Sequence, residues 1–191
     1  MFFHKNILII GFLISIIVLS GCTDNTGNKD MADIPEDTSS SDNTSIIPGN
    51  LSLMVIVDPL PDGYEILGTP PISDDYAQYS EDIIDAREGA YRDTENTDVF
   101  LDIIELDSKQ AALDFISRYK SQYIPLETIE RFTTISFNGH EATRIVQYRN
   151  SGGSQIPKYQ IIWNKENLVF LVRSNSHLES SSLELAKATG Q

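Results

Sequence analysis

The chain has 191 residues, with 28 acidic against 14 basic side chains for a formal net charge of −14, and a single cysteine. A surface of that sign repels phosphate backbones and anionic headgroups, which argues against nucleic-acid binding and direct docking on lipid. One cysteine excludes any disulfide within the chain.

The first element is a targeting segment. His4 and Lys5 precede an apolar run from Ile7 to Leu19 that is broken only by Gly11 and Ser15. As a helix rising about 1.5 Å per residue it covers roughly 20 Å, short of the approximately 30 Å hydrocarbon core, so residues 1–21 read as a secretory signal peptide. The run closes on Leu19-Ser20-Gly21-Cys22. A branched apolar residue, two small residues and a thiol resemble the lipobox of prokaryotic lipoproteins, which implies cleavage before Cys22 and lipidation of its sulfur. At about 0.8 kcal/mol per buried CH₂, two long acyl chains make such attachment effectively permanent. The expected address is the extracytoplasmic face of the cell membrane, with the membrane as a partner through Cys22.

Residues 22–50 follow as a linker. From position 23 it holds five Asp and one Glu against one Lys, no aromatic residue, and mostly Ser, Thr, Asn, Gly and Pro. Too little apolar surface is present to offset the entropy of ordering, so a disordered tether is expected, with a mean reach of roughly 30 Å. Asn43-Thr44-Ser45 and Asn50-Leu51-Ser52 are sequons, making Asn43 and Asn50 candidate glycosylation sites.

Residues 51–191 suffice for one domain with a real core. Leu51 to Val57 is a continuous apolar run ending at Asp58-Pro59 and predicts a buried first strand. Residues 60–80 are a long connection punctuated by Pro and Gly, with a short extended piece at Glu65 to Leu67. It carries Tyr64, Tyr76 and Tyr79, a candidate partner-binding loop whose tyrosines are expected to be dispensable for folding. Residues 83–92 and Val99 to Leu106 then predict a hairpin. Asp107-Ser108 caps a helix to about Tyr123, whose stripe of Ala112, Phe115, Ile116, Tyr119 and Tyr123 has helical spacing, and Pro125 bars its continuation.

Two further hairpins follow. Phe132 to Phe137 and Glu141 to Tyr148 flank Asn138-Gly139, a pair that tolerates the positive φ of a type I′ turn. Tyr159 to Trp163 and Leu168 to Val172 flank the four residues 164–167, with Trp163 on the core face. Ser181 and Glu184 have the spacing of a capping box for a last helix ended by Gly190. The expected class is α+β, a single antiparallel sheet of six to seven strands with two helices packed on it.

The stretches FNGHEATRI, YQIIWNKENLVFLV and SSLELAKATG resemble uncharacterised lipoproteins of methanogenic archaea and, more distantly, the Mog1/PsbP-type sheet-and-helix fold. The resemblance covers about 90 residues and brings no catalytic residues with it. It implies a non-enzymatic partner of a membrane complex.

Motifs for chemistry are sparse. His140-Glu141 begins like a zincin motif, but position 144 is Arg144, so the histidine pair that grips zinc is missing. His177 stands in a polar loop without a sequence partner. No Gly-x-Ser-x-Gly elbow and no phosphate-cradling glycine loop occurs, and Ser151-Gly152-Gly153-Ser154 reads as a hairpin loop. Asp102 and Glu105, with Asp74, Asp75, Glu81 and Asp82, match no calcium loop and read as solvated acid. No catalytic residue, cofactor or metal is therefore expected. The expected function is a non-catalytic interaction or assembly module with a protein partner in the cell envelope. The alternative is a carrier or sensor for a small apolar ligand or lipid.

Overall fold

The computed structural model describes residues 51–191 except Ser73 and Thr128. The signal peptide, Cys22, the linker, Asn43 and Asn50 lie outside the described residues. Alternating strands joined by tight turns build one antiparallel sheet of seven strands: β1 (Glu65–Gly68), β2 (Ile83–Arg92), β3 (Asp98–Leu106), β4 (Phe132–Phe137), β5 (His140–Ser151), β6 (Ser154–Lys165) and β7 (Leu168–Ser174). The order across the sheet is β1-β2-β3-β7-β6-β5-β4. The last strand therefore closes the sheet by inserting beside β3, and the two apolar strands β3 and β7 become its centre.

Both faces of that centre are covered, which is why β3 and β7 are apolar at nearly every position. One face carries α2 (Lys109–Ser121), whose Ala112, Phe115 and Tyr119 pack on Ile104, Ile162, Val169 and Leu171. The opposite face carries α3 (Glu179–Ala188) and the segment beginning with α1 (Leu51–Met54), packed on Leu101, Ile103, Ile161, Trp163 and Val172. Trp163 is a core residue, stacked on Phe170 at 5.1 Å between ring centres. Among the described residues no helix is long and apolar enough to cross a membrane.

Turn chemistry sets the register. Asn138 and Gly139 join β4 to β5 with φ of 49° and 78°, as a type I′ turn requires. Gly152 and Gly153 do the same between β5 and β6 with φ of 59° and 83°. The turn between β6 and β7 is tighter than the expected four residues: the strands run to Lys165 and resume at Leu168, with Glu166 at φ 50°.

Two expectations are corrected. Leu51 to Val57 is not a strand but a short helical turn and its exit, with Leu51 and Val55 buried four residues apart. An apolar run broken only by Ser52 carries too little periodicity to separate strand from buried helix, and here the edge of the sheet beside β2 is taken by β1. The segment is fixed to β2 by Tyr91, whose hydroxyl donates to the Val55 carbonyl and accepts from Val57 N–H at 3.1 Å. Ser181 is likewise not a helix cap. The last helix begins earlier, at Glu179, and the Ser181 hydroxyl donates to the buried Asp93 carboxylate at 2.6 Å.

Candidate functional site

Strand alternation places Glu88, Asp102, Phe100, Arg173, Gln160, Gln147 and Lys158 on the face that carries α2, in cross-strand rows given by the register. Next to α2 this face is apolar: Ile104, Val169, Leu171, Ile162 and Ile145. One step further along three adjacent strands it turns polar, at Gln147 on β5, Gln160 on β6 and Arg173 on β7. The change coincides with the end of the helix, which stops at Ser121 because Pro125 follows. Beyond that point the sheet runs on without a helical cover.

The space so left is a cleft of about 270 Å³. Its floor is Gln147, Gln160 and Arg173, and its walls are Tyr119 and Tyr123 from the end of α2 and Tyr76 and Tyr79 from the one-turn 3₁₀ helix Tyr76–Gln78 and its cap. Gln160 Oε1 accepts from both Tyr119 Oη at 2.9 Å and Tyr123 Oη at 3.1 Å. Gln147 Nε2 donates to Tyr123 Oη at 2.8 Å, and Tyr79 Oη donates to Gln122 Oε1 at 2.9 Å. The second amide atoms, Gln160 Nε2 and Gln147 Oε1, make no hydrogen bond among the described residues. They leave one donor and one acceptor on the floor.

At one end the cleft is braced by an ion cluster. Arg173 reaches Asp102 at 2.6 Å, Glu88 at 2.7 Å and Asp74 at 2.8 Å, and Tyr76 Oη donates to Asp102 at 2.6 Å. Three carboxylates thus meet one guanidinium. Burial pushes the Asp102 carboxyl up to about 6 against the pull of Arg173, with Glu88 adding repulsion. The same carboxylates outweigh the burial of Arg173 and hold its guanidinium above the ordinary range. Burial raises the phenols of Tyr76, Tyr79, Tyr119 and Tyr123 as well, so all four stay protonated at neutral pH and serve as hydrogen-bonding groups.

The structure separates the three tyrosines of the long connection. Tyr64 is buried against the opposite face, donating from its hydroxyl to the Ser181 carbonyl at 2.8 Å. Tyr76 is 4% exposed and packs edge-on to Phe115. Both are core residues, contrary to the expectation that they are dispensable for folding; a long connection of low periodicity gave no sign of which rings face inward. Of the three, Tyr79 alone is half-buried; it lines the cleft beside the buried Tyr76.

Asp102 is buried and engaged by Arg173, not solvated as expected, whereas Asp74 is exposed and also paired with Arg173; among the described residues no group of three or more His, Cys, Asp or Glu could hold a metal ion. His140 and His177 lie far apart in the topology, at the turn after β4 and in the loop after β7. Sequence reasoning missed Tyr123, Gln147, Gln160 and Arg173 as site residues. The available signal was a run of polar residues at core parity: after Ile145 come Gln147 and Arg149, and before Ile162 come Lys158 and Gln160.

No family model matches this chain, and no curated protein matches it. Among solved structures it is similar to LpqN, involved in cell envelope biogenesis of Mycobacterium tuberculosis, at 15% identity over 68% of this chain and 75% of that one, with a TM-score of 0.35. At that distance the two chains share too little for the role of LpqN to inform this one.

Proposed function

We propose that the chain is a non-catalytic recognition module, lipid-anchored through Cys22 at the outer face of the membrane, which binds a polar partner group in the cleft beyond α2. One observation carries the reading: three neighbouring strands turn polar on their inner face where the helix ends, and the amides exposed there keep unused hydrogen-bonding atoms. Cavities for apolar ligands are lined mainly by apolar side chains. Here phenols, amides, a guanidinium and the carboxylates of Asp74 and Asp75 face the cavity, so a hydroxyl-bearing group suits it better than the small apolar ligand or lipid of the alternative reading. Non-catalysis fits the same side chains. The phenols are held protonated, Asp102 is enclosed by Arg173 and Tyr76, and of the carboxylates in the walls Asp74 is paired with Arg173 and Asp75 accepts from Ala77 N–H, so these groups serve in hydrogen bonds and ion pairs already made.

The test is a photo-crosslinking side chain placed at Gln122, on the rim of the cleft, in the full anchored chain in its own membranes. An adduct from Gln122 that is absent when the same group replaces the exposed Glu141 supports the reading. Equal adducts from both positions, or none from Gln122, count against it. Metabolic lipid labelling lost on Cys22→Ser tests the anchor separately.

A further inference from the structure

The cleft does not end at Gln147 and Gln160. In the sheet register Gln147 pairs with Lys158, and Lys158 stands two residues from Gln160 on the same strand and face. A second cavity of about 230 Å³ opens there, lined by Arg149, Lys158, Asn175, Ser176 and His177 among others, with no carboxylate in its walls. Two residues along a strand span about 7 Å, so the two cavities are neighbours on the uncovered end of the sheet, one lined by Gln147 and Gln160 and the other by Arg149 and Lys158.

The second cavity is unusual for this molecule. In a chain with 28 acidic residues, Arg149 and Lys158 sit diagonally across β5 and β6 on one face, and neither forms an ion pair among the described residues. Lys158 Nζ donates to Asn175 Oδ1 at 2.7 Å, a neutral partner. The nearest carboxylate in the row, Asp98, is engaged by Arg92 at 3.0 Å. Partial burial, with repulsion from Arg149 added to it, lowers the Lys158 ammonium from its ordinary value. An anion between them would relieve both effects.

We infer that Arg149 and Lys158 seat the phosphate or carboxylate of an anionic sugar whose hydroxyl-bearing body lies against Tyr79, Tyr123, Gln147 and Gln160. The inference rests on the cleft being a binding site and adds the ligand class. The amides and the cationic pair are one strand step of about 7 Å apart along the same face, a span on the scale of a sugar ring with an exocyclic anionic group. The net charge of −14 opposes approach to an anionic bilayer, so the anion is assigned to a free or polymer-borne sugar and not to a lipid headgroup.

The experiment is calorimetric titration of the full mature chain, carrying Cys22→Ser so that no lipid is attached, with glucose, glucose 6-phosphate, glucuronate and inorganic phosphate. Glucose 6-phosphate or glucuronate should bind about tenfold more tightly than glucose, and Lys158→Gln or Arg149→Gln should abolish that advantage while leaving glucose binding unchanged. High salt should have the same effect as either variant. An anionic sugar that binds no better than glucose overturns the anion seat and leaves the cleft reading standing. Inorganic phosphate binding as tightly as glucose 6-phosphate overturns the contact of the sugar body with the cleft, and absence of binding by all four overturns the sugar assignment, while the cleft reading itself stands or falls on the crosslink from Gln122. Sedimentation with phosphatidylinositol vesicles would overturn the assignment to a sugar outside the bilayer. Both substitutions are on half-buried or exposed side chains, and unchanged melting of the variants checks that the fold is intact.

Discussion

Arg173 Nε stands 2.6 Å from Asp102 Oδ2 across the central strand pair, and this contact fastens the connection carrying Tyr76 to the sheet. Asp102 is fully buried, so removing the guanidinium leaves its carboxylate in the interior without the cation that faces it. Arg173→Ala should cost about 3 to 5 kcal/mol in denaturant unfolding. Adding Asp102→Asn should recover part of that loss. A single variant that unfolds like the native chain would contradict this account of the cluster.

The same carboxyl sets a pH dependence. Its pKa in the folded protein is raised from an ordinary 3.8 to about 6, so between those values the folded state binds more protons than the unfolded state. This contribution to stability is present in full below 3.8 and is lost as pH rises through about 6. Acidification across that window should therefore stabilise the native chain relative to Asp102→Asn. The check is the difference in unfolding midpoint between the two proteins as a function of pH; a difference that moves the other way contradicts the assignment.

Tyr76→Ala should destabilise by about 3 kcal/mol or more, because it removes a buried ring from the side of Phe115 and a hydroxyl from Asp102. Tyr79→Ala, at a half-buried position, should cost less. Thermal melting of the two variants orders them, and the reverse order would place Tyr79 in the core and Tyr76 on the rim.

Gly89 in β2 is where the segment after α1 crosses the sheet. A methyl group there would come within 2.9 Å of the Tyr91 ring and closer still to the Val55 carbonyl oxygen. Gly89→Ala should cost about 1 to 3 kcal/mol by overpacking and should expose residues 51–57 to amide exchange. Exchange that stays slow there would show that the crossing is looser than described.

Much of this architecture was legible from local signals. Asn138-Gly139 and the apolar strands on either side define a hairpin because few sequences tolerate two positive φ angles in succession. Ser108 and Pro125 bracket α2 through a cap and a steric stop, and the ring stripe of the helix tells which side is buried. The role of Leu51 to Val57 was not legible, since a short run with Ser52 as its one polar residue looks alike in a strand and in a buried turn. The cleft was hidden for a different reason. Its floor is assembled from Gln147, Gln160 and Arg173, which meet only through the strand order that sets β7 beside β6, and its walls need Tyr119 and Tyr123 to end a helix above them.

The most direct measurement is ring NMR of the full chain with isotope-labelled tyrosines, all eight of which can be followed at once. On titration with glucose 6-phosphate, the rings of Tyr79, Tyr119 and Tyr123 should shift together, while Tyr64 and Tyr91, buried on the opposite face, should stay in place. Shifts confined to Tyr64 and Tyr91, or rings at the cleft that remain unmoved by a ligand shown to bind, would contradict recognition at this site.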